Sequence, residues 1–321
     1  MTGVVSQQER DGVIRHVAVP AAVSLALYFG SLLLPPLAMF SAAPLYYALA
    51  AGGPRAGLSA MAVCALAALA AGGAAPALLF LSLAGSTAYA LYRMKLENAP
   101  LERTLGLSAM APFASVVMVF ASLAFMAGTS PEQVTQGWAR EALAAMETSY
   151  RQAGVEAEFT LWLSGNAEAL AGMVAGAAFG MAFAGCFVMT ALNYAAIGAL
   201  SRRYRWGIHF ENHVFTAWRA PDGLVWALVA AGAAALLADG FAAAAGVNAL
   251  IIAGVIYLFQ GVAILQHYLG RGGVPPLLRA LAYFLIFSQP ALLALLAAVG
   301  VADLWADFRG LARGTDTQVE P

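Results

Sequence analysis

The sequence AGMVAGAAFGMAFAGCFVMTALNYAAIGAL runs from residue 171 to residue 200 without a charged side chain. A helix that crosses a bilayer needs about 20 mostly apolar residues, because the hydrocarbon is about 30 Å thick and each residue rises about 1.5 Å. Backbone polar groups inside lipid must be satisfied within their own segment, so a run of this kind is helical. The stretch therefore predicts a membrane-spanning helix.

The composition of the whole chain has the same character. Of its 321 residues, 62% are hydrophobic and 10% are charged, whereas soluble globular chains have about 45–50% apolar and about 25% charged residues. The net charge is -1, which provides no field that selects nucleic acid. These values exclude a cytosolic enzyme, a nucleic-acid binder and a disordered protein. They predict an all-α, polytopic integral membrane helix bundle.

Long apolar runs predict eight or nine transmembrane helices. The runs lie at residues 17–34, 37–51, 56–71, 75–92, 105–127, 167–200, 224–237, 249–269 and 281–299. The second run is short and contains Pro44, so it is either a full crossing or a re-entrant segment. The domain organisation predicted from these runs is a cytoplasmic N-terminus at 1–16, a six-span domain at 17–200, a basic and aromatic cytoplasmic loop at 201–221, a three-span domain at 222–300 and a polar tail at 301–321.

The distribution of Lys and Arg predicts the orientation, because these residues accumulate in short cytoplasmic loops. If the second run crosses fully, twelve of the 16 fall on one side, and the exceptions are Arg140, Arg151, Arg309 and Arg313. This bias predicts a protein of the cell (inner) membrane with a cytoplasmic N-terminus. With nine crossings, it also predicts an external carboxyl terminus.

Residues 129–166 form the one long polar stretch, and the predicted orientation places them outside. Ser130, Pro131 and Gln133 are typical of a helix start, with Ser as N-cap, Pro at the first position and Gln three residues after the cap. Apolar residues then recur at helical spacing until Gly154. This amphipathic helix either lies on the outer face of the bundle or forms a lid over an external cavity.

Two runs of small residues predict close helix packing, since helices in lipid associate where backbones can approach. Gly172, Gly176 and Gly180 are spaced by four residues in the sixth run, and Ala18, Ala22 and Ala26 in the first. Each seam either packs within the bundle or docks another membrane subunit. The chain is rich in alanine, so chance alone can supply the second seam.

Polar side chains within the apolar runs are candidates for substrate binding. Tyr28 and Tyr46 lie within the first four runs, which contain no Asp, Glu, His, Lys or Arg. This disfavours a proton relay there and favours a neutral or mostly apolar ligand. Gln260 and His267 share one face of the eighth run. Gln289 precedes Pro290 in the ninth run, where it can satisfy part of the break that proline makes. The alternative for each residue is structural or interfacial packing.

The carboxyl-terminal polar residues Asp303, Asp307 and Arg309 form another candidate set. On a helix, the two carboxylates lie one turn apart, so they either bind a cation or fix a helix end. Asp239 is interpreted as a cap beside Gly240. His209 and His213 are spaced by four residues, but we expect no metal and no cofactor. The sequence contains no recognised catalytic motif, so we expect no enzymatic activity.

The last hundred residues resemble the YybS-like family of multi-pass membrane proteins, domain of unknown function 2232. The stretches that carry the resemblance are Phe215-Thr-Ala-Trp-Arg-Ala-Pro221, Leu224-Val-Trp226, Asn248-Ala-Leu250, Tyr257-Leu-Phe-Gln-Gly-Val-Ala263 and Asp303-Leu-Trp-Ala-Asp-Phe-Arg309. The first six runs also resemble the substrate-binding component of energy-coupling-factor vitamin transporters, through the alanine seam, the Pro35-Pro36 turn, the short second run and the glycine-rich third and fourth. The three additional carboxyl-terminal runs and the 129–166 insertion depart from that pattern.

Three functions follow as hypotheses. The first is a membrane component that binds or transports an unknown small molecule, with other membrane subunits and a separate ATPase as partners beside the lipid bilayer. The second is a scaffold or assembly factor that acts through helix contacts in the bilayer. The third is an intramembrane enzyme that uses His267, Asp239 or the pair Asp303 and Asp307.

Overall fold

The structure is a computed structural model that describes residues 12–154, 156–208, 210 and 214–310. Within these residues the secondary structure is helical and contains no strand, so the chain is an all-α membrane helix bundle, as predicted. The helices fall into two compact units, Met1–Glu211 and Asn212–Pro321.

The first unit contains eight α-helices in its described part. They are α1 (Val19–Gly30), α2 (Ala42–Gly72), α3 (Ala74–Phe80), α4 (Ser86–Leu96), α5 (Leu101–Met126), α6 (Pro131–Gln152), α7 (Ala157–Gly165) and α8 (Ala167–Tyr204). A π-helical turn at Ile14–Ala18 precedes α1, a 3-10 helix at Pro35–Phe40 precedes α2, and a second π-helical turn at Leu81–Gly85 joins α3 to α4. The core of the unit forms where α1, α2, α3 and α4 pack, around Leu45, Tyr46, Leu49, Phe80 and Leu91.

Helix α2 is a hairpin of two helical segments. Gly53 has a φ of 83°, a left-handed conformation that breaks the helix, and Pro54 follows it. A Cβ added at Gly57 would lie 3.0 Å from the Cα of Leu49, whereas eight residues of straight helix would separate the two by about 12 Å. The chain therefore reverses at Gly53, and the second and third predicted runs are separate helical segments.

The polar insertion contains the helix that its sequence predicts. In α6, the Ser130 hydroxyl accepts a hydrogen bond from the Gln133 backbone N–H, and the Gln133 side chain accepts one from the Ser130 N–H, each at 3.2 Å. The helix packs on α5 and α8, where the Phe120 and Trp138 rings are 4.7 Å apart. Arg140 forms an ion pair with Glu168 of α8. Gly154 follows the helix with a φ of 73°.

The second unit contains four α-helices in its described part. They are α9 (Leu224–Leu237), α10 (Gly240–Arg271), α11 (Pro276–Ser288) and α12 (Pro290–Ala306). Asp239 precedes α10 at the N-cap position, but its side chain makes no cap hydrogen bond. The chain bends by 103° between α11 and α12, at Gln289. The ninth predicted run is therefore two helices rather than a straight one.

Five helical segments are long and apolar enough to cross a membrane, and six if the bent pair of α11 and α12 forms one span. Two shorter apolar helices lie at Ile14–Gly30 and Leu224–Leu237. One of the five segments is Pro35–Gly72, which contains the hairpin at Gly53. The count of eight or nine crossings stays a prediction.

Candidate functional site

The carboxylate of Asp303 is the centre of a buried polar network in the second unit. Its Oδ2 accepts hydrogen bonds from Gln260 Nε2 at 2.9 Å and from the Arg309 guanidinium at 2.8 Å. Its Oδ1 accepts one from the Phe308 backbone N–H at 2.9 Å. Asp303 is 2% exposed and Gln260 is fully buried. The acid is therefore paired and hydrogen-bonded, as a buried charge must be.

Two members of this network bind the loop that precedes α9. Arg309 donates to the carbonyl oxygens of Thr216 and Trp218, each at 2.8 Å. Gln260 Oε1 accepts from the Ala220 backbone N–H at 2.9 Å. The Phe259 ring of α10 also contacts the loop, with its centroid 6.3 Å from that of Trp218. We call Gln260, Asp303, Arg309 and the carbonyl and N–H groups of residues 216–220 the carboxyl-terminal latch.

A sharp turn brings Arg309 back to Asp303. Asp307 ends α12 with a φ of 42°, a left-handed conformation that Asp adopts more readily than most residues. The Asp307 N–H still donates to the Asp303 carbonyl at 3.1 Å, and the Gly310 N–H donates to the Asp307 carbonyl at 2.9 Å. Asp303 is therefore paired with Arg309, and Asp307 lies at the turn, which favours the alternative that these residues fix a helix end. A cation shared by Asp303 and Asp307 stays a prediction.

The latch also corrects an expectation about the carboxyl-terminal residues. The predicted polar tail was to begin at residue 301, but α12 continues to Ala306, and Asp303 and Arg309 are buried. The contact of Arg309 with the Thr216 and Trp218 carbonyls lies within the second unit. The placement of loop 201–221 and the carboxyl-terminal residues on opposite sides of the membrane stays a prediction.

Three glycines of the second unit bring helices into backbone contact. A Cβ added at Gly261 would overlap the Leu296 carbonyl, and one at Gly300 would overlap the Tyr257 carbonyl. A Cβ at Gly246 would lie 2.5 Å from the Ala235 nitrogen. Only glycine permits these approaches between α10 and its neighbours α9 and α12. Sequence analysis missed all three, because Gly261 and Gly300 are isolated in apolar runs and show no repeated spacing.

The predicted glycine seam on α8 does not mark such an approach. A Cβ added at Gly176 would meet no heavy atom within 4 Å, and one at Gly172 would meet only Gln136 Nε2, at 4.0 Å. Gly172 is exposed, whereas Gly180 is buried. Gly172 and Gly176 therefore have space for a larger side chain. The prediction that they pack tightly within the unit is wrong for these two residues.

The alanine seam of the first run lies on the exposed side of its helix. Ala18, Ala22 and Ala26 are exposed, whereas Ala21 and Ser24 form the buried face of α1. Ser24 donates from its hydroxyl to the Ser41 carbonyl at 2.6 Å. The seam therefore does not belong to the buried face of α1 in the described part of the first unit, and docking of another subunit on it stays a prediction.

The two predicted tyrosine ligands have internal partners. The Tyr46 ring is fully buried, and its hydroxyl donates to the Ile208 carbonyl at 2.7 Å. The Tyr28 hydroxyl donates to the Pro76 carbonyl at 3.0 Å, and its ring contacts Phe80. These contacts give both residues a structural role, whether or not they also meet a ligand.

The three candidates in the second unit do not converge. Gln260 belongs to the latch, whereas His267, two turns further along α10, is half-buried with its ring against Tyr268. Gln289 is exposed at the bend, where its carbonyl accepts from the Leu292 and Leu293 N–H groups at 3.0 and 3.1 Å. The structure therefore brings together Gln260, Asp303 and Arg309 and leaves His267 and Gln289 apart from them.

Besides His16 Nδ1, five polar side-chain atoms in the first unit are buried without a hydrogen-bond partner among the described residues. They are Thr87 Oγ1, Ser108 Oγ, Thr190 Oγ1, Asn193 Oδ1 and Ser201 Oγ. They belong to α4, α5 and α8, and α5 packs on both of the other helices. Each such atom costs about 1–3 kcal/mol if nothing satisfies it. Sequence analysis singled out none of them, because single hydroxyl groups in apolar helices commonly bond to their own backbone.

No group of three metal-ligating side chains occurs in the part of the chain that the structure describes. His209 and His213 lie outside the described residues. Cys64 and Cys186 are free and buried.

The family described as Predicted membrane protein (DUF2232) matches residues 22–304. The chain belongs to this family. The match confirms the resemblance seen in the carboxyl-terminal third and extends it over both units. No curated protein and no solved structure matches the chain. The resemblance to energy-coupling-factor components therefore stays a prediction.

Proposed function

We propose that this DUF2232 protein is a membrane component that binds a neutral polar small molecule and acts with other membrane subunits and a separate ATPase. It would reside in the cell (inner) membrane with its N-terminus in the cytoplasm, and it would have no enzymatic activity of its own. The observation that carries the proposal is the set of five unpartnered polar atoms on α4, α5 and α8 of the first unit.

The chemistry of these atoms selects the class of ligand. Four are hydroxyl oxygens and one is an amide oxygen, and the helices that carry them bury no charged side chain. Hydroxyl groups donate and accept, and the amide oxygen accepts. A neutral molecule with hydroxyl, amide or ring nitrogen groups would satisfy them, whereas an ion would find no counter-charge.

The exposed face of α1 supports the part of the proposal that concerns partner subunits. Ala18, at the end of the π-helical turn, and Ala22 and Ala26 of α1 are exposed among the described residues. Small side chains at four-residue spacing let a second helix approach closely in lipid. A membrane subunit docked there would leave the buried polar atoms undisturbed.

Native mass spectrometry of the gently extracted protein tests the ligand. The variant Thr87→Val/Thr190→Val removes two buried hydroxyl groups at nearly constant volume, so a retained small molecule should be lost while the fold persists. The matched control is Thr135→Val, whose hydroxyl is exposed and bonds to the Pro131 carbonyl at 2.8 Å. A wild-type protein that retains no small molecule, or a double variant that retains it in full, contradicts the proposal.

Co-purification tests the partners. The variant Ala22→Leu should release a membrane subunit and its ATPase, whereas Val23→Leu on the same exposed stretch of α1 should not. Retention of both proteins by Ala22→Leu would show that this face is not the docking surface.

A second candidate function is a scaffold that works through helix contacts alone. It is favoured because Tyr46 and Gln260, both predicted to bind substrate, are bonded to the protein's own backbone and side chains. The two functions differ in one result: the scaffold would release its partner on Ala22→Leu but would carry no small molecule before or after Thr87→Val/Thr190→Val.

A further inference from the structure

One end of the first unit gathers arginines from three separate segments of the chain. Arg15 precedes His16 in the first π-helical turn, and Arg55 follows Gly52 at the tip of the α2 hairpin. A Cβ added at Gly52 would lie 2.6 Å from the His16 Cβ, so these two segments are in contact. The third segment, at the end of α8, carries Arg202, Arg203 and Arg205. We call these five residues, all exposed, the arginine cluster.

A row of aromatic rings joins the three segments. The His16 ring is 6.1 Å from that of Tyr47, Tyr47 is 4.6 Å from Trp206, and Trp206 is 5.1 Å from Tyr204. We call these four residues the aromatic ladder. Since Tyr204 and Trp206 alternate with Arg203 and Arg205 in the sequence, the ladder fixes the third segment beside the other two.

The arginine cluster has no counter-charge in the part of the chain that the structure describes. None of its guanidinium groups pairs with a carboxylate among the described residues. Residues 12–96 and 169–210 contain no Asp or Glu. By contrast, Arg140 and Arg151 of α6 are paired with Glu168 and Glu147. The cluster therefore places five positive charges beside the aromatic ladder, of which Tyr204 and Trp206 are exposed.

We infer that the arginine cluster and the aromatic ladder together bind the headgroup of an anionic phospholipid. Trp and Tyr side chains settle at the level of the headgroups, and a guanidinium group forms paired hydrogen bonds with phosphate oxygens. Clustered arginines next to membrane helices attract anionic lipids by about 1 kcal/mol each. If these arginines served only to orient the protein in the membrane, they would need to lie on the cytoplasmic side. They would not need to converge on one row of aromatic rings.

Nanodiscs that contain equal amounts of phosphatidylglycerol and phosphatidylcholine provide the test. After release of the full-length protein, native mass spectrometry counts the molecules of each lipid that remain bound. The wild-type protein should retain phosphatidylglycerol in excess, and Arg203→Gln/Arg205→Gln, which removes two charges worth about 1 kcal/mol each, should lower that excess about thirtyfold. The control Arg140→Gln/Arg151→Gln removes the same charge from α6 and should keep the excess.

Two further measurements distinguish a loss of charge from a damaged fold, and binding of a lipid headgroup from binding of free phosphate. The variant Arg203→Lys/Arg205→Lys keeps the charges and should keep most of the excess, which a damaged fold would not. Equal retention of both lipids by the wild-type protein, or an unchanged excess in Arg203→Gln/Arg205→Gln, would overturn the inference. Complete displacement of the lipid by millimolar inorganic phosphate would also overturn it, because the site would then bind the free anion.

Discussion

The two units of this protein bury polar groups in different ways. Both contain buried polar atoms without a partner among the described residues, six in the first unit and four in the second. The buried ion pair found among these residues, Asp303 with Arg309, belongs to the second unit. A buried charge is tolerated only when it is paired, so the second unit is committed to one arrangement. Neutral hydroxyl groups cost less to bury and can exchange partners. From this comparison we expect the hydrogen bonds of buried polar groups to be adaptable in the first unit and the geometry of the ion pair to be fixed in the second.

We expect the largest effect on stability when the charge at Asp303 is removed. The variant Asp303→Ala leaves Arg309 buried and unpaired, so we expect a loss of about 3–5 kcal/mol in the free energy of unfolding. Unfolding of the purified protein by dodecyl sulfate in micelles measures it. Asp239→Ala is the control, since that residue is exposed and its side chain makes no cap hydrogen bond, and it should cost much less. An equal loss in both variants would contradict the role of the latch.

Removal of both charges, at Asp303 and at Arg309, tests whether the unpaired charge causes the loss of stability. The double variant Asp303→Leu/Arg309→Met leaves no unpaired charge, so it should recover much of the stability that Asp303→Ala loses. If the double variant is as unstable as the single one, the bonds of Arg309 to the Thr216 and Trp218 carbonyls carry the stability instead of the ion pair.

Fixed geometry in the second unit also predicts a large effect at Gly300. A Cβ in the variant Gly300→Ala would overlap the Tyr257 carbonyl, so α10 and α12 must separate, at a cost of about 1–3 kcal/mol. The same unfolding measurement applies. In Gly254→Ala, on α10, the added Cβ meets no atom within 4 Å, so this control should keep or gain stability. A neutral result at Gly300 would show that the crossing is loose.

In the first unit, loss of the α6 cap should have a local effect. Ser130→Ala removes the hydroxyl that accepts from the Gln133 N–H, which costs about 1 kcal/mol. Hydrogen exchange in the first turn of α6 should accelerate about fivefold, while exchange in the second unit stays unchanged. Ser122→Ala on α5 is the control, because its hydroxyl bonds only to the Met118 carbonyl of its own helix. Faster hydrogen exchange in the second unit as well would contradict the expectation that loss of the cap has a local effect.

The smallest effect is expected at Tyr46. Tyr46→Phe keeps the buried ring but removes the hydrogen bond to the Ile208 carbonyl, which contributes about 0.5–1.5 kcal/mol. Tyr204→Phe, on an exposed ring, serves as the control in the same unfolding experiment. A loss well above this range would mean that Tyr46 has a further role, as a ligand-binding residue would.

Much of the fold was predictable because lipid imposes strong rules on local sequence. The charge-free stretch within 171–200 defines α8, and the residues Ser130 to Gln133 define the start of α6. The reversal at Gly53 was indicated by a break between two apolar runs. These features depend on residues that are neighbours in the sequence, so a reader of the sequence can recognise them.

The candidate site was predictable only in part, because its contacts join distant segments. Asp303, Arg309 and Gln260 were each singled out, but nothing in their spacing indicates that Arg309 replaces Asp307 as the partner of Asp303. That choice depends on the left-handed turn at Asp307 and on the bend at Gln289. The contact between Gly261 and Gly300 was missed for the same reason, since each glycine matters only when the other helix is in place.

The latch also has a consequence for the order of assembly during translation. Thr216 and Arg309 are separated by 93 positions, so the 216–220 loop leaves the ribosome long before its guanidinium partner is made. Until then its carbonyl groups must form hydrogen bonds with water or lipid headgroups, and Gln260 lacks the Asp303 carboxylate as its acceptor. The second unit can therefore close only after residue 309 has been added, which makes its final tightening a late event in biogenesis.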